Sequence, residues 1–137
     1  ERSNRYNEEI TLLFMDLDKF KRINDTYGHQ FGDEVIIKTS EIIKSNVRNI
    51  DIVSRYGGEE FCVILINANK DSSLNTAERI RKEMEENVFI FNNKEENITI
   101  SIGMAEFPID SNNKKDLIKY ADNMMYNAKE SGRNCIR

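Results

Sequence analysis

An α/β fold is predicted by three features of the sequence. An apolar run at residues 11–15 ends on Asp16-Leu17-Asp18, two strand-like runs flank Gly57-Gly58-Glu59-Glu60, and helix-spaced apolar stripes separate these from a further strand near residues 98–104. Strands divided by helices, with one hairpin between, give a mixed central sheet with flanking helices, close to a ferredoxin-like core with an extra helix.

The run at residues 11–15 is continuous rather than alternating, so it reads as a strand buried on both faces. It delivers acids at its C-terminal end, where α/β proteins place ligands. Residues 19–27 read as a short helix closed by Gly28, and residues 32–48 carry Val35, Ile36, Ile43 and Val47 at helical spacing. Residues 52–56 and 61–66 form a hairpin around Gly57 and Gly58, which can take the positive φ angles of a tight turn. Leu74, Ala77, Ile80, Met84 and Val88 mark the next helix. Ile98, Ile100, Ile102 and Met104 alternate with Thr99, Ser101 and Gly103, predicting a strand with one buried face. After a loop from Pro108 to Asn113, the residues Leu117, Ala121, Met124, Met125 and Ala128 predict a last helix stopping near Gly132. The expected order is β-α-α-β-β-α-β-α.

With 137 residues the chain is expected to form one domain, residues 1–137, around one core. Lys+Arg 20 against Asp+Glu 24, a net charge of -4 and a pI near 5.2 argue against the basic field of a duplex-binding protein. Any anionic ligand must therefore be held locally. Cys62 and Cys135 lack the spacing of a disulfide framework and read as free thiols of a reducing compartment. There is neither an 18-residue apolar stretch nor a leader-like N-terminus, so this segment is not expected to contact a membrane.

If the first strand and the hairpin lie side by side, Asp16 and Glu59 converge. Oxygen-only ligation favours Mg²⁺ or Mn²⁺, with the Leu17 carbonyl as a further ligand and substrate phosphates completing the shell. In a chain that is 32% charged, plain solvation of the two acids is the competing reading. Glu60 is either a ligand or a neighbour that orients one. Lys21 stands in the first turn of a helix, whose free N–H groups favour phosphate or simply accept an ordinary cap. Lys129 and Arg133, four residues apart, end the last helix as cations for its dipole or for an anion. Asn24 and Asp33 suit guanine, whose N1–H and exocyclic amine a carboxylate accepts; a surface amide and a helix cap are the alternatives. His29 touches ligand or, preferably, orders the Tyr27-Gly28-His29 turn. Arg48 and Asp51 pair a guanidinium fork with a carboxylate, able to grip a phosphate and a guanine edge, or else form an ion pair worth at most about 1 kcal/mol.

Taken together, Asp16-Leu17-Asp18, Lys21, Asn24-Asp25, Gly28-His29, Gly32-Asp33, Gly57-Gly58-Glu59-Glu60-Phe61 and Lys129 through Arg133 resemble the GGDEF diguanylate cyclases over roughly residues 11–134. The resemblance implies a palm core similar to that of nucleotide cyclases, with GTP over the glycine hairpin and two divalent cations, Mg²⁺ or Mn²⁺, per site. By it, Asp16, the Leu17 carbonyl, Glu59 and Glu60 look like metal ligands, and Glu59, Glu60 and Lys21 like catalytic groups. Asn24 and Asp33 look like guanine readers, and His29, Gly57, Gly58, Lys129 and Arg133 like substrate contacts. Arg48, Asp51 and Arg79 match an allosteric site for the product, cyclic di-GMP. A homodimer follows, since one domain offers one GTP and the product needs two linkages.

The family usually carries an Asp-x-Leu-Thr-Gly-Leu-x-Asn-Arg segment before the first strand, whereas this chain starts Glu1-Arg2-Ser3-Asn4-Arg5. It is therefore expected to lack that segment and an upstream sensory or dimerisation region, and to work in the cytoplasm. A catalytically silent module that binds GTP or cyclic di-GMP to regulate a partner is the alternative, and it fits best where Asp16 or Glu59 is replaced. A ferredoxin-like nucleic-acid binder conflicts with the acidic pI and the lack of an aromatic platform.

Overall fold

In the computed structural model, which describes residues 8–137, the chain runs β1 (Ile10–Leu17), α1 (Phe20–Tyr27), α2 (His29–Ser45), β2 (Ile52–Arg55), β3 (Glu60–Ile66), α3 (Lys70–Glu86), β4 (Val88–Phe91), β5 (Lys94–Asn97), β6 (Ile100–Phe107) and α4 (Lys114–Glu130). The start at Glu1 to Arg5 lies outside the described residues. Four strands form one sheet in the order β2-β3-β1-β6, each antiparallel to its neighbour.

The unbroken apolar run of β1 is explained by its central place. Leu13, Met15 and Leu17 face a core shared with Ile23 of α1, Phe31, Val35 and Ile43 of α2, and Ile80 of α3. Leu12 and Phe14 point the other way, into a smaller core with Leu117, Ala121 and Met125 of α4. Burial of each such side chain contributes about 1.5–3 kcal/mol, so the strand with two apolar faces anchors both layers.

Four expectations are corrected. β6 is buried on both faces, because α4 covers Ser101, Gly103 and Ala105. A Cβ at Gly103 would lie 2.1 Å from the Met125 amide nitrogen and 2.2 Å from the Ala121 carbonyl oxygen, so the backbone of α4 rests directly on the strand. α2 spans His29–Ser45 rather than residues 32–48. Gly28, at φ 92°, closes α1 through its N–H to the Asn24 carbonyl (2.8 Å) and opens α2 at once. It is this glycine, more than His29, that orders the turn. At the other end of α2, the Asn46 amide donates to the Ile42 carbonyl at 2.8 Å and stops the helix before Arg48.

Third, α3 ends at Glu86 and Val88 starts a strand, with Leu74 44% exposed while Ser73 takes the buried position. The observed order gains a second hairpin, β4–β5, whose turn residues Asn92 and Asn93 both have positive φ. Its second strand is Lys-Glu-Glu-Asn and shows no apolar alternation, which is why the sequence pattern missed it. Fourth, neither Gly57 nor Gly58 adopts a positive φ.

The C-terminal segment runs beside β6, with the Ile102 N–H donating to the Cys135 carbonyl and the Arg137 N–H to the Ile102 carbonyl, each at 3.0 Å. This pairing protects the sheet edge.

Gly103→Ala is expected to destabilise the fold by about 1–3 kcal/mol or more, since backbone must move to admit the methyl group. Urea unfolding measures this; an unchanged midpoint would show that α4 shifts freely on β6.

Candidate active site

The register of the sheet sets Asp16 opposite Glu60 on β3 and Ser101 on β6. The loop between β2 and β3 is tied to this row, since the Leu17 N–H donates to the Glu59 carbonyl at 3.2 Å and the Tyr56 N–H to the Glu60 carbonyl at 2.7 Å. Arg55 holds the loop from below, its guanidinium donating to the carbonyls of Gly57 (3.2 Å) and Gly58 (3.0 and 2.6 Å). Of the two glycines, only Gly57 has a neighbour that an added Cβ would meet. A Cβ at Gly57 would lie 2.8 Å from Glu60 Oε1, and at Gly58 it would meet open space.

Lys129, near the end of α4, reaches into the acidic row. Its Nζ donates to Asp16 Oδ1 at 3.2 Å, the Leu17 carbonyl at 3.2 Å and Asp18 Oδ1 at 2.9 Å, with the Asp16 carbonyl at 3.4 Å. Asp18 itself is buried and accepts from the hydroxyls of Thr99 and Ser101, each at 2.6 Å, and from the Asn134 N–H at 3.0 Å. Burial opposes its ionised form, but the Lys129, Ser101 and Thr99 donors outweigh that and hold its carboxyl below the usual range. Asp16 goes the opposite way. Burial pushes it up to about 6 against the pull of Lys129, with the charges of Glu59 and Glu60 adding to the rise. Glu60 is raised by burial and by the charges of Asp122 and Glu59.

This arrangement tests the cation expectation. Among the described residues no three His, Cys, Asp or Glu side chains form a metal cage. A cationic group nevertheless sits among carboxylate and carbonyl oxygens of Asp16, Leu17 and Asp18, with Glu59 and Glu60 close enough to shift Asp16. All-oxygen donors around a positive charge fit a hard divalent ion.

Other expected site residues are placed less uniformly. Asn24 Oδ1 is buried without a partner, against Gly32, where a Cβ would lie 2.0 Å from it. Asp33 follows on α2 within the helix rather than as its cap, and His29, its first residue, is exposed. The Lys21 side chain is 89% exposed and pairs with Asp25 at 3.1 Å. Arg133 is exposed and lines a cleft of about 450 Å³ with Lys19, Arg22, Thr99 and Asn134.

Arg48, Asp51 and Arg79 line a separate cleft of about 280 Å³. Arg48 donates to Asp51 at 3.0 and 3.2 Å and to the Ile66 carbonyl, while Arg79 donates to the Asn46 carbonyl at 3.2 Å. The Asp51 side chain is 1% exposed. Burial works against its charge, yet the N–H groups of Ile66 and Arg48 and the Arg48 guanidinium hold its carboxyl below the usual range.

Sequence reasoning missed Asp18, Thr99, Ser101, Arg55 and Asn134. The legible signal was the hydroxyl pair Thr99 and Ser101, alternate residues at the entry to β6, read there as a solvent face.

Residues 1–135 match the sequence profile described as "Diguanylate cyclase, GGDEF domain". The chain is 44% identical over 134 residues to Diguanylate cyclase A of Treponema denticola, covering 98% of this chain and 36% of that protein. It is 43% identical to Diguanylate cyclase DosC of Escherichia coli over 98% of this chain and 29% of that one. The chain thus spans about a third of the length of these relatives. Among solved structures, the GGDEF domain of YfiN (TpbB) from Pseudomonas aeruginosa superposes with a TM-score of 0.94 at 32% identity, over 99% of this chain and 85% of that one. The GGDEF domain of DgcB from Caulobacter crescentus, in complex with c-di-GMP, gives 0.90 at 33% identity over 98% and 80%.

A folded pKa of about 6 for Asp16, against 3.8, means that the folded state binds its proton more tightly. The stability Asp16 contributes is present below about pH 4 and lost as pH rises through about 6. In cation-free buffer Asp16→Asn is therefore expected to gain on the parent as pH rises from about 4 to about 7. Denaturation series at several pH values check this, and a pH-independent difference would refute it.

Proposed function

The chain belongs to the GGDEF family of diguanylate cyclase domains, and we propose that it condenses two GTP molecules into cyclic di-GMP and two pyrophosphates. The observation that carries this reading is the Lys129 ammonium held by Asp16, the Leu17 carbonyl and Asp18 beside the glycine hairpin, a cation position built at the end of the central strand. The names of the two curated relatives and the c-di-GMP complex of DgcB support it. Both Asp16 and Glu59 are present, which favours an active enzyme over a silent module that binds GTP or cyclic di-GMP.

Asp16, the Leu17 carbonyl, Glu59 and Glu60 are the groups that would hold two divalent cations, Mg²⁺ or Mn²⁺. When bound, such ions lower the pKa of the attacking 3′-hydroxyl and neutralise the departing pyrophosphate. The protein supplies the rest by positioning and charge. Asn24 and Asp33 read the guanine edge, with His29 beside them. Gly57 and Gly58 leave room for the nucleotide over the hairpin. Lys129 keeps Asp18 and turns from Asp16 toward phosphate oxygens, Arg133 takes the terminal phosphate from its cleft, and Lys21 turns from Asp25 to offset developing charge. Glu59 also stands to accept the hydroxyl proton. The oxygen attacks the α-phosphorus in line, one P–O bond forms, and pyrophosphate leaves.

Each copy contributes one such site, so catalysis needs a homodimer with its nucleotides antiparallel. The Arg48, Asp51 and Arg79 cleft takes cyclic di-GMP as a feedback inhibitor, its guanidinium groups meeting phosphate and Asp51 the guanine edge. No helix among the described residues is long and apolar enough to cross a membrane; a cytoplasmic setting is part of the proposal.

A chain fused to a dimeric coiled coil and supplied with GTP and Mg²⁺ is expected to yield cyclic di-GMP and pyrophosphate, identified by mass spectrometry. No product would leave the regulatory reading in its place. Glu59→Gln is expected to abolish turnover while the melting curve stays unchanged, and retained activity would remove its proposed role. Arg48→Ala is expected to keep turnover and lose product inhibition; inhibition at the parent level would exclude the second site.

A further inference from the structure

The loop after α4 has an unusual backbone. Gly132, Arg133 and Asn134 have φ of 115°, 66° and 48° in succession, and two of the three are not glycine. Left-handed non-glycine residues are strained and persist where their surroundings impose them. Asparagine tolerates that region; arginine has no such preference.

Three of the imposing contacts converge on Asn134. Its Oδ1 accepts from Arg81 Nη1 at 2.9 Å, its Nδ2 donates to Glu85 Oε2 at 2.8 Å, and its main-chain N–H donates to Asp18 Oδ2 at 3.0 Å. Both side-chain partners lie on α3, and Arg81 is fixed in turn by Glu78 at 2.6 and 2.9 Å and Glu85 at 3.3 Å. On the other side of Arg133, its own N–H donates to the Ala128 carbonyl at 3.0 Å. The arginine is thus clamped before and after, while its side chain stays exposed on the cleft that Lys19 and Arg22 also line.

We propose that Asn134 is a positioning residue for the substrate's terminal phosphate: its side-chain clamp to Arg81 and Glu85 holds Arg133 in the left-handed conformation from which the guanidinium enters the cleft. A flexible arginine loses rotamer and backbone freedom when it grips an anion, and fixing its Cα beforehand reduces that loss. The inference rests on the reading of Arg133 as a phosphate ligand.

Asn134→Gly separates the clamp from the backbone, because glycine adopts this φ freely and keeps the N–H to Asp18. Binding of 3′-deoxy-GTP, which lacks the attacking hydroxyl, is measured with Mg²⁺ for the parent, Asn134→Gly, Arg133→Ala and the double variant. Asn134→Gly is expected to weaken binding by about five- to tenfold, the size of one or two lost hydrogen bonds, and to have no further effect in the Arg133→Ala background. Equal weakening in both backgrounds, or none in the parent, overturns the proposal. If Arg133→Ala itself leaves binding unchanged, the phosphate role of Arg133 falls first and the inference with it. Glu85→Ala, exposed on α3, is expected to give the same pattern at smaller size, and Glu85→Gln, still an acceptor, to restore parental binding; failure of that rescue counts against the clamp.

Discussion

A carboxylate buried at the end of a central strand must find donors or lose its charge, and Asp18 finds them on three separate parts of the chain. Thr99 and Ser101 come from the β6 region, Lys129 from α4 and the Asn134 N–H from the C-terminal loop. Removing one donor would leave a buried charge short of partners, which costs far more than an exposed hydrogen bond. The end of β1, the last turn of α4 and the loop carrying Arg133 are therefore fixed relative to one another by a single acid. Asp16 is the contrasting neighbour two residues earlier, with its carboxyl raised rather than lowered because burial prevails over Lys129. One strand end thus holds one acid firmly ionised and another ready to respond to a cation.

The sheet's geometry turns this local chemistry into a site. Antiparallel pairing of β1 with β3 and β6 places Asp16, Glu60 and Ser101 in one row. The Leu17 N–H then draws the Glu59 carbonyl to the same strand end. The helices contribute from both layers. α1 and α2 bring Asn24 against Gly32 on one side, while α4 brings Lys129 from the other.

Most of this frame was legible because periodicity reports burial. The unbroken run of β1 announced a strand with two apolar faces, and the stripes of α3 and α4 announced amphipathic helices. The β6 pattern misled for a physical reason. Ser101 and Gly103 are not solvated; Ser101 donates to Asp18 and Gly103 admits the backbone of α4, and alternation by polarity cannot separate small or buried polar residues from exposed ones. Gly57 misled similarly, since clearance and positive φ leave the same mark in a sequence. Side-chain partners such as Asn134 with Glu85 were illegible altogether, because 49 residues separate them and only the fold brings them together.

The position of Lys129 has a consequence for how the protein is made. Many metal-centred domains cannot fold until the ion arrives, because their ligands repel one another without it. Here Lys129 carries a positive charge into the acidic row and pairs with Asp16 and Asp18, so part of the repulsion among the carboxylates is offset in the bare polypeptide. A newly made domain therefore meets part of this repulsion with a charge of its own chain rather than with a bound ion.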